Sequence, residues 1–292
     1  MTMTAVCIAI NLPYHLNLPR GEYAIGSQDA VFLTRTTSLG SGPVTVQTRI
    51  LSAFDVPGEI DREAAYSIAV REAGRLIRKV NRLLRWYRQL ASLPGVLEIT
   101  RAQVSPFEFD VVESNALPGK SVQKWILPAL DFEAEKPIPA QFATAEDLAA
   151  SLRENLATTI EPNVAELNLL DARHAKSVGR FREAVLLSWS VIDSSFIGKF
   201  ETLVDKRLSG EWREARKFLK GHDFGLRHKM TAGLRLVAAR SFYDEPNGFW
   251  DKLSKSYERR NAIIHEGAGA DEDDAEQAIA VAHNVLDIID TL

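Results

Sequence analysis

Cysteine is nearly missing from this 292-residue chain, which carries only Cys7. One thiol excludes an internal disulfide and a thiolate-built zinc site, and it fits a reducing compartment. Long apolar runs are missing as well. None approaches the ~20 residues that cross a bilayer, and the opening stretch, Met1 to Ile10, is too short and without the basic flank of a secretory signal. A cytoplasmic protein with no membrane segment is expected. Charge of one sign is not in excess, because 35 Lys and Arg face 39 Asp and Glu, for a net charge of −4. Residues 1 to 140 hold 15 basic and 14 acidic side chains and residues 141 to 292 hold 20 and 25, so neither half is a basic nucleic-acid domain in bulk. Any RNA contact must come from local patches. Histidine is scarce, and His222 and His228, six apart around Gly225 with no third ligand nearby, make a poor metal site. Neither a metal nor a cofactor is expected.

Hydrophobic residues at 46% and charged residues at 25% predict a globular core, and the length suits two domains. The expected fold class is α+β. An N-terminal mixed α/β-sheet domain spans 1–140, a connector helix 141–160, and a C-terminal all-α antiparallel helical bundle 161–292.

In the first domain Ala5–Ile10, Glu22–Ile25, Ala30–Thr36 and Val44–Phe54 are β-branched or alternating runs. Pro13, Pro19, Gly21, Gly26 and the Gly40-Ser41-Gly42-Pro43 turn separate them. From Asp61, a predicted N-cap, to Ser92 the period becomes helical. Val96–Val104 and Phe107–Val112 return to strand character, which predicts one helix packed on a sheet. On that helix Arg71, Arg75, Arg78, Arg82 and Arg85 fall within about 80° of one another, beside Trp86. Such a stripe could track the phosphates of RNA. The ordinary reading, and the preferred one, is a solvated face whose arginines pair with acids from elsewhere, as amphipathic helices normally show. Lys120 to Thr144, punctuated by prolines around Trp125, Leu127 and Phe132, reads as a strand or strap, and Thr144 caps a short helix over Ala145–Leu156.

The second half is helix after helix: Pro162–Ser177, Arg180–Leu203, Trp212–Lys220 (basic and aromatic), Phe224–Arg240, Asp251–Glu266 and Asp271–Asp290. The run Asp271-Glu272-Asp273-Asp274 suits a helix N-terminus favoured by the macrodipole.

The most specific pattern ends the fifth of these helices. Arg260-Asn261-Ala262-Ile263-Ile264-His265 sets a permanent fork-shaped cation near the side chain that exchanges protons near neutrality, just before Gly267 and Gly269. On these residues, and on the helices from about Glu161 to Leu292, the chain resembles the HEPN superfamily. Its signature is Arg, then Asn, Asp or His, three residues, then His. The resemblance assigns Arg260 and His265 as catalytic residues with Asn261 beside them, and turns Tyr257, Ile263 and Ile264 to the bundle interior. It implies a metal-independent endoribonuclease that works as a homodimer with the two motifs facing each other. Among such proteins RNA is the substrate, and roles in antiphage defence or toxin–antitoxin systems imply a regulatory protein or a phage-derived trigger as a further partner. Other members bind RNA, nucleotide or protein without catalysis.

The chemistry agrees. Cleaving RNA through its 2′-hydroxyl needs one group to take that proton, another to protonate the 5′-oxygen, and positive charge on the phosphorane. One His and one Arg are too few, and a two-fold dimer doubles them. Five residues along a helix turn about 140° and advance about 7.5 Å, so the helix is expected to fray or end near Ile264 if Arg260 and His265 are to converge. Asn261 is suited to fix the histidine tautomer, to bind phosphate or to cap the bundle end. Asp193 on the second helix is a candidate to orient Arg260, or is a buried carboxylate paired for structural reasons. The plainer reading of the motif pairs Arg260 with Glu258, Glu266 or a neighbouring helix and leaves His265 capping helix carbonyls.

Overall fold

The computed structural model describes residues 3–12, 15–25, 29–38, 45–57, 60–100, 108–113, 144–208 and 212–292. They form an α+β protein of two compact units, Met1–Pro162 and Asn163–Leu292. The Gly40–Pro43 turn and almost all of the Lys120–Thr144 strap lie outside the described residues.

The first unit contains, among its described residues, a five-stranded antiparallel sheet: β1 (Met3–Asn11), β2 (Gly21–Ile25), β3 (Asp29–Ser38), β4 (Thr45–Pro57) and β5 (Glu108–Glu113), in the order β2-β3-β4-β1-β5. β1 lies inside the sheet and pairs with β4 and β5 on its two sides. Val6, Ile8 and Ile10 enter the main core, whereas Cys7 and Ala9 cluster with Leu51 and Phe32. This two-sided burial explains why β1 reads as an unbroken apolar run instead of alternating.

Helix α1 (Arg62–Ala91) supplies Leu76, Val80, Leu83, Leu84 and Tyr87 to that core. Asp61 accepts a hydrogen bond from the Ala64 N–H at 2.8 Å, and Ser92, at φ +49°, closes the other end. The expected strand over Val96–Val104 is not formed in its described part, residues 96–100. The backbone of Ile99 is met instead by the Asn81 amide, which accepts from its N–H at 2.8 Å and donates to its carbonyl at 2.9 Å. A side chain thus takes the place of a neighbouring strand.

Helix α2 (Ala145–Ala157) begins at a reciprocal Thr144/Asp147 capping box. Its Leu148, Ala149, Leu152 and Leu156 sit in the core of the first unit, so residues 144–160 are part of that unit and not the connector expected from sequence.

The second unit is helical throughout its described residues: α3 (Val164–Ser177), α4 (Phe181–Arg207), α5 (Arg213–Lys220), α6 (Leu226–His228), α7 (Leu234–Ala238), α8 (Phe249–Glu266) and α9 (Glu272–Asp290). α6 passes into α7 through a wide π turn, Lys229–Gly233. α4 is the central element. Its Trp189, Ile192, Phe196 and Phe200 are buried among residues of α7, α8 and α9, with Phe242 between Phe196 and Phe249. Trp189 fixes α8 against α4: its indole N–H donates to Ser256 Oγ at 2.9 Å, and its ring meets Tyr257 edge-on at 5.3 Å. Among the described residues no helix is long and apolar enough to cross a membrane.

Candidate active site

α8 carries the motif. Leu253, Ser256 and Ile263 are buried against α4, which fixes the rotation of the helix. One step around from that buried stripe, Arg260 lies at the edge of the α4 contact with its side chain 26% exposed. Nη1 donates to Asn261 Oδ1 at 2.9 Å, and Nη2 lies 3.4 Å from Asp193 Oδ2. Asp193 is half-buried. Desolvation pushes its carboxyl above the ordinary range, and the nearby Arg260 charge only partly offsets this. Of the acids the plainer reading offers, Arg260 takes neither Glu258, which lies 3.9 Å from Arg227, nor Glu266, but it does pair with a neighbouring helix, through Asp193 of α4.

Arg260 and Asp193 stand in the wall of an open groove of about 490 Å³ between α4 and α8, with Leu186, Trp189, Ser190, Ser194, Ile197 and Ile264. Two expectations change here. Ile264 is 47% exposed and lines this groove instead of entering the interior, whereas Ile263 is buried. The helix also continues through Glu266 before Gly267, at φ +69°, ends it, and the Gly267 and Ala268 N–H groups both return to the Ala262 carbonyl. Without a fray at Ile264, the ~140° between positions 260 and 265 persists. His265 is exposed, does not line the groove, and has no hydrogen-bond partner among the described residues. Asn261 relates the two sides: it follows Arg260 directly and precedes His265 by four residues, on the same helix face.

The arginine stripe of α1 divides. Arg82, with 13% of its side chain exposed, donates to the carbonyls of Leu156 at 3.4 Å, Thr158 at 2.5 Å and Ile160 at 3.2 Å, and its Nε lies 3.2 Å from Glu161. Arg85 bridges Glu98 and Glu161 at 3.1 and 3.0 Å. Arg71 and Arg75 both contact the buried Glu72, and Arg78 is exposed without an ion pair among the described residues. Trp86 is buried, so it offers no contact surface beside the stripe. Asp271 caps α9 reciprocally with Asp274, which also pairs with Arg259 at 2.9 Å. No group of three His, Cys, Asp or Glu side chains converges as metal ligands among the described residues.

Apart from Asp193, the α4 wall of the groove was not anticipated, although a signal for it exists. Leu186, Ser190, Asp193 and Ile197 recur at intervals of four, three and four, a second helical face opposite the buried Ala184, Val185, Ile192 and Phe196. No protein-family model, no curated protein and no solved structure matches this chain.

Proposed function

We propose that the second unit is a HEPN-like bundle and that the chain is a metal-independent endoribonuclease acting as a homodimer in the cytoplasm, in antiphage defence or a toxin–antitoxin setting. The single observation that carries this reading is the cluster of Arg260, Asn261 and Asp193 at an open groove, with an exposed imidazole on the next turn of the same helix that has no partner among the described residues. The long 3.4 Å contact to Asp193 leaves most guanidinium donors available for phosphate oxygens. In this reading a second copy closes on the groove, whose Leu186 and Ile264 are 37% and 47% exposed, and brings the missing half of the acid–base pair. RNA is the substrate, and a regulatory protein or phage-derived trigger controls access to it.

Incubating total RNA with the purified protein in EDTA tests the proposal. Cleavage is expected from the parent and from neither Arg260→Ala nor His265→Ala, each falling about 10²-fold or more. A second reading, a non-catalytic RNA- or protein-binding module, is favoured by the divergence of Arg260 and His265 within one chain. It predicts RNA retention without cleavage by the parent.

A further inference from the structure

A second surface of the helical unit has the chemistry of a nucleic-acid contact. Residues 141–292 carry more acid than base, yet positions 205–220 hold six Lys and Arg against three Asp and Glu. Within α5, Arg216 and Lys220 are held by Asp205 at 3.4 and 2.5 Å. Arg213 and Lys217, one turn apart, are exposed and have no ion pair among the described residues. Glu214 is the one acid on this helix.

Beside these cations stand rings that solvent reaches. Trp212 and Phe218 are 61% and 59% exposed, although each carries an apolar surface that folding normally hides. Phe218 is not loose. It leans on Phe224 with ring centroids 5.3 Å apart, and Phe224 in turn meets the exposed His228 at 5.9 Å and 37°. Gly233 explains why this rack holds its place, since a Cβ there would come within 2.8 Å of Phe224 and 2.9 Å of Phe200. An exposed ring seated on a second one, as Phe218 is on Phe224, together with cations that have no ion pair among the described residues, is what unstacked bases and their phosphates require. A protein partner of acidic character would use the cations but has no need of a braced ring rack.

We infer that the α5–α6 surface, formed by Trp212, Phe218 and His228 with Arg213 and Lys217, binds single-stranded RNA. It provides the sequence-tolerant affinity that the α8 motif alone does not. The inference rests on RNA being the ligand of that motif, but not on cleavage.

Binding is read by fluorescence anisotropy of a fluorescein-labelled single-stranded RNA of ~20 nucleotides, enough to cover several stacking positions, with the same sequence as a duplex for comparison. Full-length His265→Ala protein is used so that the probe survives. Trp212→Ala/Phe218→Ala is expected to weaken single-strand binding about 30-fold or more, one stacked base being lost with each ring. Arg213→Gln/Lys217→Gln is expected to lower the slope of log K against log salt by about 1.4, for two phosphates on a single strand. Equal binding by these variants and their background overturns the inference, as does duplex bound as tightly as single strand. So does loss of an acidic protein partner with RNA affinity unchanged. If the variants lose RNA and the parent never cleaves it, the nuclease reading fails and this surface stands.

Discussion

The Arg260 guanidinium reaches the Asp193 carboxylate at 3.4 Å while giving a shorter, 2.9 Å hydrogen bond to its neighbour Asn261. Asp193 therefore steers the arginine without neutralising all of its donors, and Asn261 supports it from the side that faces His265. Asp193→Ala is expected to lower cleavage about 10-fold, with Asp193→Asn retaining most of it because the amide oxygen still accepts from Arg260. Initial rates on a labelled RNA check this, and equal rates for all three proteins contradict it.

The same carboxyl gives a pH prediction with a definite sign. Burial raises Asp193 above its ordinary 3.8 in the folded protein, so the folded state binds its proton more tightly than the unfolded chain does. The resulting stability is present below the ordinary value and lost as pH rises through the raised one. Relative to the parent, Asp193→Asn should gain thermal stability as pH rises from below the ordinary 3.8 through the raised value. Thermal melts across that range test the trend, and a difference independent of pH rules it out.

If a second copy covers the groove, charge placed on its apolar wall must prevent it. Leu186→Glu and Ile264→Glu change exposed positions and should leave the fold of the monomer intact. Both are expected to shift a sedimenting dimer to monomer and to abolish cleavage together. A variant that remains dimeric and active would remove the groove from the interface.

Arg82 is predicted to be a bolt and Arg78 a surface residue. Truncating Arg82 to Met strips three backbone carbonyls of their donor and should cost about 3 kcal/mol in urea unfolding. Arg78→Ala should change stability by less than about 0.5 kcal/mol. Equal costs for the two would show that the carbonyl contacts do not matter.

Gly233→Ala has two opposed effects. Replacing glycine inside a helix ordinarily gains up to ~1 kcal/mol. Here the new methyl would sit within 3 Å of Phe224 and Phe200, an overpacking that costs about 1–3 kcal/mol. A net loss of stability is expected by calorimetry, and a gain would mean that the rings are free to move aside.

Much of this architecture was legible in the residues. The helix ends were the clearest part, because Asp61, Thr144 and Asp271 are side chains that can take up orphan N–H groups, and each does so. β1 was legible from its apolar run. Segment 96–100 was misread because β-branched residues mark burial as much as strand pairing, and Asn81 satisfies Ile99 from eighteen positions away. The arginine stripe was legible as a face, but its partners were not, since Glu161 and the carbonyls after α2 lie far along the chain. At the candidate site, the resemblance of the 260–265 motif singled out Arg260, Asn261 and His265. It did not reveal that α8 stays helical to Glu266, because a capping glycine sets roughly where a helix stops and not whether its last turn loosens.

In the proposed chemistry Arg260 and His265 of two copies cleave RNA through its own 2′-hydroxyl. Mass spectrometry of the fragments formed in EDTA tests it most directly. The parent is expected to leave 2′,3′-cyclic phosphate and 5′-hydroxyl ends and His265→Ala to leave the RNA intact; cleavage by His265→Ala at the parent's rate, or ends bearing 3′-hydroxyl and 5′-phosphate, would rule this chemistry out.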